Sequence, residues 1–116
     1  MNPSSLLTFL IFFSGIAFLY YGWGCFYSPF IQKEFNRYGL PKYRKITGFL
    51  QLLGAIGLFL GLLFPLVGIV AALGLSLLML LGFLTRIKIK DSFFQSIPSF
   101  FFMLVNAMIS FLLIKY

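Results

Sequence analysis

Charged residues divide the chain into long apolar stretches and short polar connections. No charged residue occurs between Lys45 and Arg86, a stretch of about forty residues, whereas one membrane-spanning helix needs about twenty. The stretch therefore predicts two helices, and Pro65 marks their division because proline is tolerated at the start of a helix but poorly in its interior. Two further uncharged stretches occupy the ends of the chain. The pattern predicts four spans at about residues 5–27, 46–64, 66–85 and 93–114.

These spans define the predicted fold class: an all-α, four-helix transmembrane bundle with short loops, forming a single domain over residues 1–116. The first apolar run has no basic residue before it and no small-x-small cleavage site after it, so we expect a retained span rather than a signal peptide. The longest polar connection, SPFIQKEFNRYGLPKYRK, follows that span. Within it we predict a short interfacial helix from about Phe30 to Tyr38 and a turn over residues 39–41.

Composition supports the membrane assignment. Hydrophobic residues make up 61% of the 116 residues and charged residues only 9%, whereas soluble domains are about a quarter charged. A chain this small exposes much of its surface, and these few charged side chains cannot cover it in water. The composition therefore excludes a soluble domain with an unusually apolar core.

The distribution of positive charge predicts the orientation in the membrane. The net charge is +7, and eight of the nine cations lie in the first and third connections. Short loops rich in Lys and Arg stay on the cytoplasmic side, so both termini should face outward from a cell membrane. Anionic headgroups or a protein partner, rather than nucleic acid, account for this charge. The candidate headgroup or partner contacts are Lys33, Arg37, Lys42, Arg44, Lys45, Arg86, Lys88 and Lys90.

Polar residues fall on narrow faces of the predicted second and fourth helices. Thr47 and Gln51 are one turn apart on the second, and Gln95, Ser99 and Asn106 share an arc of the fourth. Because an unsatisfied amide in hydrocarbon costs several kcal/mol, these faces should turn toward each other inside the bundle. Tyrosines at the end of the first span lie at a comparable depth. The candidate ligand site comprises Tyr20, Tyr21, Thr47, Gln51, Gln95, Ser99 and Asn106.

The polar cluster has two interpretations that the sequence leaves open. Amide and hydroxyl contacts between spanning helices commonly serve packing alone. Alternatively, a small amphipathic ligand such as a quinone or a lipid occupies the cluster. The small residues also have two interpretations. The pairs Gly57 with Gly61 and Gly68 with Ala72 favour close helix packing, either within the bundle or between two chains.

The residue types that the chain lacks restrict its chemistry. It has no histidine and one cysteine, Cys25, which excludes histidine-based catalysis, histidine metal or haem ligation, and an intramolecular dithiol pair. The only carboxylates, Glu34 and Asp91, lie in the basic connections, where we expect each to pair with a nearby Arg or Lys. No acid lies at mid-membrane, whereas proton-coupled antiport of the small multidrug type requires one. We expect no catalytic constellation, no metal site and no cofactor other than a quinone.

Three motifs resemble the DoxX-like family of small four-helix membrane proteins: FNRYGLPKYRKITGFLQLLGAIGLFLGLLFP, the small-residue third helix AALGLSLLML, and TRIKIKDS after it. The resemblance covers about Phe26 to Asn106. It implies a membrane subunit of the kind associated with thiosulfate:quinone oxidoreduction and other membrane redox complexes. Family members often carry a glutamate where this chain has Gln51, and a glutamine can hydrogen-bond a quinone carbonyl but cannot carry a proton near neutral pH.

Two functions of different class follow. The first is a DoxX-like accessory or scaffold subunit that has no redox centre of its own and uses its basic inner face to engage lipids or an acidic partner. The second is a quinone- or lipid-binding subunit of an oxidoreductase complex, with a pocket around Tyr21, Gln51, Gln95 and Asn106. In both functions, Gln51 stabilises the structure or orients a ligand.

Overall fold

The structure is a computed structural model that describes the backbone of residues 3–90 and 93–115 and the side chains of residues 5–90 and 96–115. Over the described residues the chain is helical and has no strand, which confirms the all-α prediction. A single turn of 3-10 helix, Pro41–Tyr43, follows the second helix. The helices are α1 (Pro3–Tyr27), α2 (Pro29–Arg37), α3 (Arg44–Leu60), α4 (Pro65–Lys88) and α5 (Phe93–Lys115).

Local sequence signals set several helix ends. Ser28 caps α2, its hydroxyl accepting a hydrogen bond from the Ile31 N–H at 3.4 Å, and Pro29 occupies the first turn. The predicted short helix after the first span is therefore present, within one residue of its expected bounds. Gly39 follows it with φ of 76°, a left-handed conformation that glycine adopts without strain. Pro65 begins α4, as the sequence predicts.

The connection between α3 and α4 is longer than its sequence indicates. The apolar pattern predicts a second span to residue 64, but α3 ends at Leu60 and a turn occupies residues 61–63. The Phe64 N–H donates to the Leu60 carbonyl at 2.8 Å within that turn. Hydropathy does not mark the turn, because Leu62 and Leu63 within it and Phe64 after it are as apolar as the helix that precedes them.

Within the described residues, three helices are long and apolar enough to cross a membrane by length and composition: the segments Ser5–Tyr27, Pro65–Lys88 and Ser96–Lys115. They correspond to the first, third and fourth predicted spans. The fourth long helix, α3, has 17 residues. At 1.5 Å per residue it is about 25 Å long, which is the lower limit for a membrane span.

The four long helices pack around a shared core. Helix α1 contacts α3 and α5, α3 also contacts α4, and α4 also contacts α5. The core contains Ile11, Phe18, Leu58, Leu75 and Ile109, all buried. Many other large apolar side chains on the four helices are exposed instead. An outer surface of this kind suits hydrocarbon and is unfavourable in water.

Glycines allow the closest helix contacts. A Cβ on Gly48 of α3 would lie 2.9 Å from the Gly22 carbonyl oxygen of α1, and a Cβ on Gly61 would lie 2.6 Å from the Gly68 Cα of α4. Gly57 similarly faces Ala71. The Gly57 and Gly61 pair thus packs within the chain, which is the first of the two interpretations of these glycines.

Candidate functional site

A cavity of about 860 Å³ lies between the long helices at the end that carries α2. All five helices contribute to its lining. Most of the wall is apolar, with Phe18, Leu78, Met79 and Phe102 among its side chains. The volume falls within the range of small-molecule sites, roughly 300–1,000 Å³. We refer to this space as the interhelical cavity.

Gln51 is the most unusual side chain in the lining. It is 6% exposed, and its amide Nε2 lies 4.0 Å from the Cys25 Sγ, a weak contact with a poor acceptor. Its carbonyl Oε1 is buried and accepts no hydrogen bond from the described part of the protein. Buried polar atoms are nearly always partnered. Within the described residues the oxygen is therefore left without a partner, at a cost of about 1–3 kcal/mol.

The cavity brings together four of the seven residues predicted for the ligand site. Tyr21, Thr47, Gln51 and Ser99 all line it. They come from three helices, since Tyr21 lies on α1, Thr47 and Gln51 on α3, and Ser99 on α5. The sequence interpretation that the polar faces of α3 and α5 share a space at the α2 end is consistent with this arrangement.

Of the other three predicted site residues, Tyr20 and Asn106 lie outside that group, and the third is Gln95. Tyr20 is 76% exposed and does not line the cavity, because adjacent residues of a helix point about 100° apart. Asn106 is fully buried outside the lining, where its Oδ1 accepts from the Ser14 hydroxyl at 3.0 Å and its Nδ2 donates to the Phe102 carbonyl at 2.8 Å. This amide holds α1 and α5 together. The Gln95 side chain and Asp91 lie outside the described residues.

A charged cluster borders the cavity at its α2 end, and sequence reasoning did not include it in the site. Glu34 of α2 receives a hydrogen bond from Arg37 at 2.7 Å and one from the Tyr38 hydroxyl at 3.2 Å. Arg86, from the last turn of α4, lies 3.6 Å from the same carboxylate oxygen. Glu34, Tyr38 and Arg86 all line the cavity. We call Glu34, Arg37, Tyr38 and Arg86 the Glu34 cluster.

The Glu34 cluster ties α2 to the end of α4. The pairing of Glu34 with a nearby arginine was predicted, and it is confirmed; its second partner, Arg86, is 52 positions away and could not be identified from sequence. The guanidinium groups of Arg37 and Arg86 also lie 5.4 and 5.3 Å from the centre of the Tyr38 ring. The first and third polar connections therefore meet at one end of the molecule.

Electrostatics keep this cluster charged. The hydrogen bond from Arg37 lowers the pKa of Glu34 from its ordinary value, and the nearby charge of Arg86 acts in the same direction. Burial raises the pKa of Tyr38 to about 12. At neutral pH the carboxylate is therefore ionised and the phenol protonated, which is the state that the observed hydrogen bonds require.

Acidification should release α2 from α4. Because the pKa of Glu34 is lower in the folded protein than in an unfolded chain, its stabilising effect is present above the ordinary pKa and is lost as pH falls through the lowered one. Spin labels at Gln32→Cys and Ile87→Cys, in a Cys25→Ser background, should report an α2–α4 distance that becomes longer or broader as the pH is titrated down from 7 through the lowered pKa of Glu34. Glu34→Gln should give the wide distribution throughout the titration. A distribution that is unchanged by pH or by Glu34→Gln would show that the cluster does not hold α2.

Arg44 connects α1 to α3 at the same end. Its guanidinium donates to the backbone carbonyls of Cys25 and Phe26, which belong to the last turn of α1. Carbonyls at a helix C-terminus lack intrahelical donors and carry partial negative charge, so a cation is favourable there. Arg44 thus has a structural role, in addition to its predicted place among the inner-face cations. Lys33, Lys42, Lys45, Lys88 and Lys90 are exposed.

The structure combines helices that can span a membrane, an apolar outer surface and an interhelical cavity with a charged end. These features define a helical membrane protein. A family model described as the DoxX-like family matches residues 4–109. The chain belongs to the DoxX-like family, and the match extends beyond the motifs that indicated the family in the sequence. No curated protein and no solved structure matches the chain.

Proposed function

We propose that this DoxX-like protein is a four-span protein of the cell membrane that binds a small amphipathic molecule, a quinone or a lipid, in the interhelical cavity. The observation that carries the proposal is the interhelical cavity itself, a largely apolar space of about 860 Å³ whose lining includes Thr47, Gln51 and Ser99. An apolar body would fill the space, and a polar group would lie beside the hydroxyl and amide side chains of the lining. Binding sites of this kind combine apolar walls with a few placed polar groups.

The four-span arrangement rests on the packing of α3. This helix contacts α1 on one side and α4 on the other, so it runs beside helices that are each long enough to cross a membrane. Arg44 lies at its polar end, next to the basic connection, and Gly61 lies at its apolar end. A helix of 17 residues in this position spans the bilayer with the turn over residues 61–63 close to the opposite interface.

The experiment compares the protein with the membrane from which it is purified. Lipids and quinones are extracted from the washed, purified protein and from the same membrane, and both are quantified by mass spectrometry. We expect one amphiphile to be enriched several-fold over bulk lipid and present at close to one molecule per chain. A purified protein whose extract has the bulk composition in repeated preparations would contradict ligand binding.

A second role is favoured by the basic end of the molecule. Both polar connections carry exposed lysines, and the contact of Arg86 with Glu34 brings the two connections together there. We propose that this surface contacts anionic headgroups or an acidic partner protein and that the chain serves as an accessory or scaffold subunit with no redox centre of its own. The two roles are compatible, since the charged surface borders the same cavity.

Orientation has a direct test. Because Lys and Arg concentrate in the two connections at the α2 end, a cysteine at Lys42 should be labelled only after permeabilisation of the cell, whereas one at Lys115 should react in intact cells. Both variants would carry Cys25→Ser so that the native thiol does not contribute. The reverse labelling pattern would show that the α2 end faces outward.

A further inference from the structure

Helix α2 forms part of the wall of the interhelical cavity at its charged end. We infer that α2 is a lid that controls entry of the amphiphile into the cavity from this end, and that the contact of Arg86 with Glu34 is its latch. This inference rests on the proposed function, because it concerns the regulation of the same site.

One face of α2 is turned toward the cavity. The half-buried residues of the helix and its C-cap recur at helical spacing, and all of them line the cavity: Ile31, Glu34, Phe35 and Tyr38. The intervening residues, which include Lys33 and Arg37, are polar and exposed. The cavity is therefore covered at this end by an amphipathic helix that has its other face outside.

Few interactions hold α2 in this position. None of its nine residues is buried, and segments with little buried apolar surface open at a low free-energy cost. Ile31 packs against α1 at Gly24, where an added Cβ would lie 2.7 Å from the Ile31 Cδ1. An amphipathic helix is also stable at a membrane interface, so the apolar face of α2 can leave the cavity for the headgroup region without exposure to water.

The two ends of α2 suit a hinge. Ser28 separates α1 from α2 and is extended, with φ of −78° and ψ of 121°. Gly39 follows α2 in the left-handed conformation, with φ of 76°. Lids move through changes of φ and ψ at a few residues that end an element. Rotation at these two positions swings α2 as a unit while α1 and α3 stay in place.

The latch joins the cavity face of α2 to the last turn of α4. Arg86 Nη1 lies 3.6 Å from Glu34 Oε2, and Arg86 Cζ lies 5.3 Å from the centre of the Tyr38 ring. The side chains of Arg86 and Glu34 are 22% and 19% exposed. An ion pair that solvent still reaches is weak, so this contact favours the closed position of α2 without preventing its opening.

The alternative entrance lies between α3 and α4. An apolar groove of about 790 Å³ occupies that surface, and Leu50 and Leu81 line both the groove and the cavity. Only apolar side chains and glycines line the groove, so the polar group of an amphiphile would have no hydrogen-bonding side chain along this path. The α2 end presents Tyr38 and Arg86 instead, which favours entry of the polar group there.

A reversible tether between α2 and α4 tests the inference. Glu34→Cys and Arg86→Cys are combined in the full-length Cys25→Ser protein in nanodiscs, and a bifunctional methanethiosulfonate bridges the two thiols until it is reduced. The probe is a benzophenone carrying a decyl chain, and samples are irradiated at increasing times after mixing. Peptide mapping follows the adduct at Met79, which lines the cavity, and the exposed Met108 reports partitioning into the bilayer.

The bridged protein should show little adduct at Met79 over the time in which the reduced protein is fully labelled, because α2 cannot leave the cavity. Glu34→Gln without a tether should be labelled up to about fivefold faster than the unmodified protein, since the latch is lost. Labelling of Met108 should be equal in all forms. Glu34→Cys alone, treated with the same reagent, cannot form the bridge and should be labelled as fast as the reduced double variant.

The failures are distinguishable. Equal rates at Met79 in the bridged and reduced proteins would overturn the lid and indicate entry between α3 and α4, with ligand binding in the cavity still supported. Equal rates in Glu34→Gln and the unmodified protein would overturn the role of Glu34 as the latch. If no form of the protein acquires an adduct at Met79, the proposed function fails together with the inference.

Discussion

Replacing Gly61 by alanine should destabilise the protein by about 2 kcal/mol, the typical cost of forcing an added group into a close-packed contact. An alanine Cβ there would lie 2.6 Å from the Gly68 Cα. The obstacle is backbone, so no side-chain rotation can relieve it. The α3–α4 contact would have to open near the turn that joins the two helices.

Gly74→Ala is the matched control. Gly74 lies in α4, and an added Cβ would meet nothing within 4 Å. Alanine is the better helix former by up to about 1 kcal/mol, so this variant should be as stable as the unmodified protein or slightly more stable. Equilibrium unfolding in mixed micelles compares the three proteins. Equal stability of Gly61→Ala and Gly74→Ala would contradict the close α3–α4 contact.

Asn106→Leu should cost more stability than Gln51→Leu, although each substitution removes a buried amide. Asn106 has a partner at both ends of its amide, Ser14 and the Phe102 carbonyl. Its replacement leaves the Ser14 hydroxyl without that partner and should cost about 1 kcal/mol of stability. Gln51 has an orphaned oxygen, so leucine removes an unsatisfied atom at little or no cost to folding.

Ligand retention should show the reverse pattern. Gln51→Leu should lose the co-purifying amphiphile about tenfold more readily than the unmodified protein, since the cavity lining loses its amide. Asn106→Leu should retain it, because Asn106 lies outside the cavity lining. Unfolding midpoints and mass spectrometry of the bound amphiphile provide the two readouts. If Gln51→Leu is as destabilised as Asn106→Leu and its ligand content is unchanged, Gln51 serves packing alone.

The sequence predicts most of the helical architecture because charge and proline are local signals. Uncharged stretches identify α1, α4 and α5, and Pro65 begins α4 as expected. The end of α3 is not predictable in this way. The residues of the turn are as apolar as the helix before them, and the chain turns at Gly61 where the backbones of α3 and α4 meet.

The site is predicted only in part. Helical spacing shows which residues share a face, but it does not show which residues far apart in the sequence contact each other. Helical spacing is enough to place Thr47 and Gln51 on one inward face, and both line the cavity. The partner of Asn106 is Ser14, a small residue within an apolar run that gave no signal. The contact between Arg86 and Glu34 depends on where α4 ends relative to α2, and spacing in the sequence does not show this.

Photo-crosslinking in native membranes tests ligand binding in the cavity most directly. A benzophenone carrying a decyl chain reacts with nearby C–H bonds, those of methionine included, and the chain offers Met79 in the cavity and Met108 on its outer surface. Peptide mapping should find an adduct at Met79 that 4-decylphenol suppresses, and an adduct at Met108 that it does not. Labelling of Met79 that is absent, or that is as insensitive to 4-decylphenol as that of Met108, would contradict an amphiphile site between the helices.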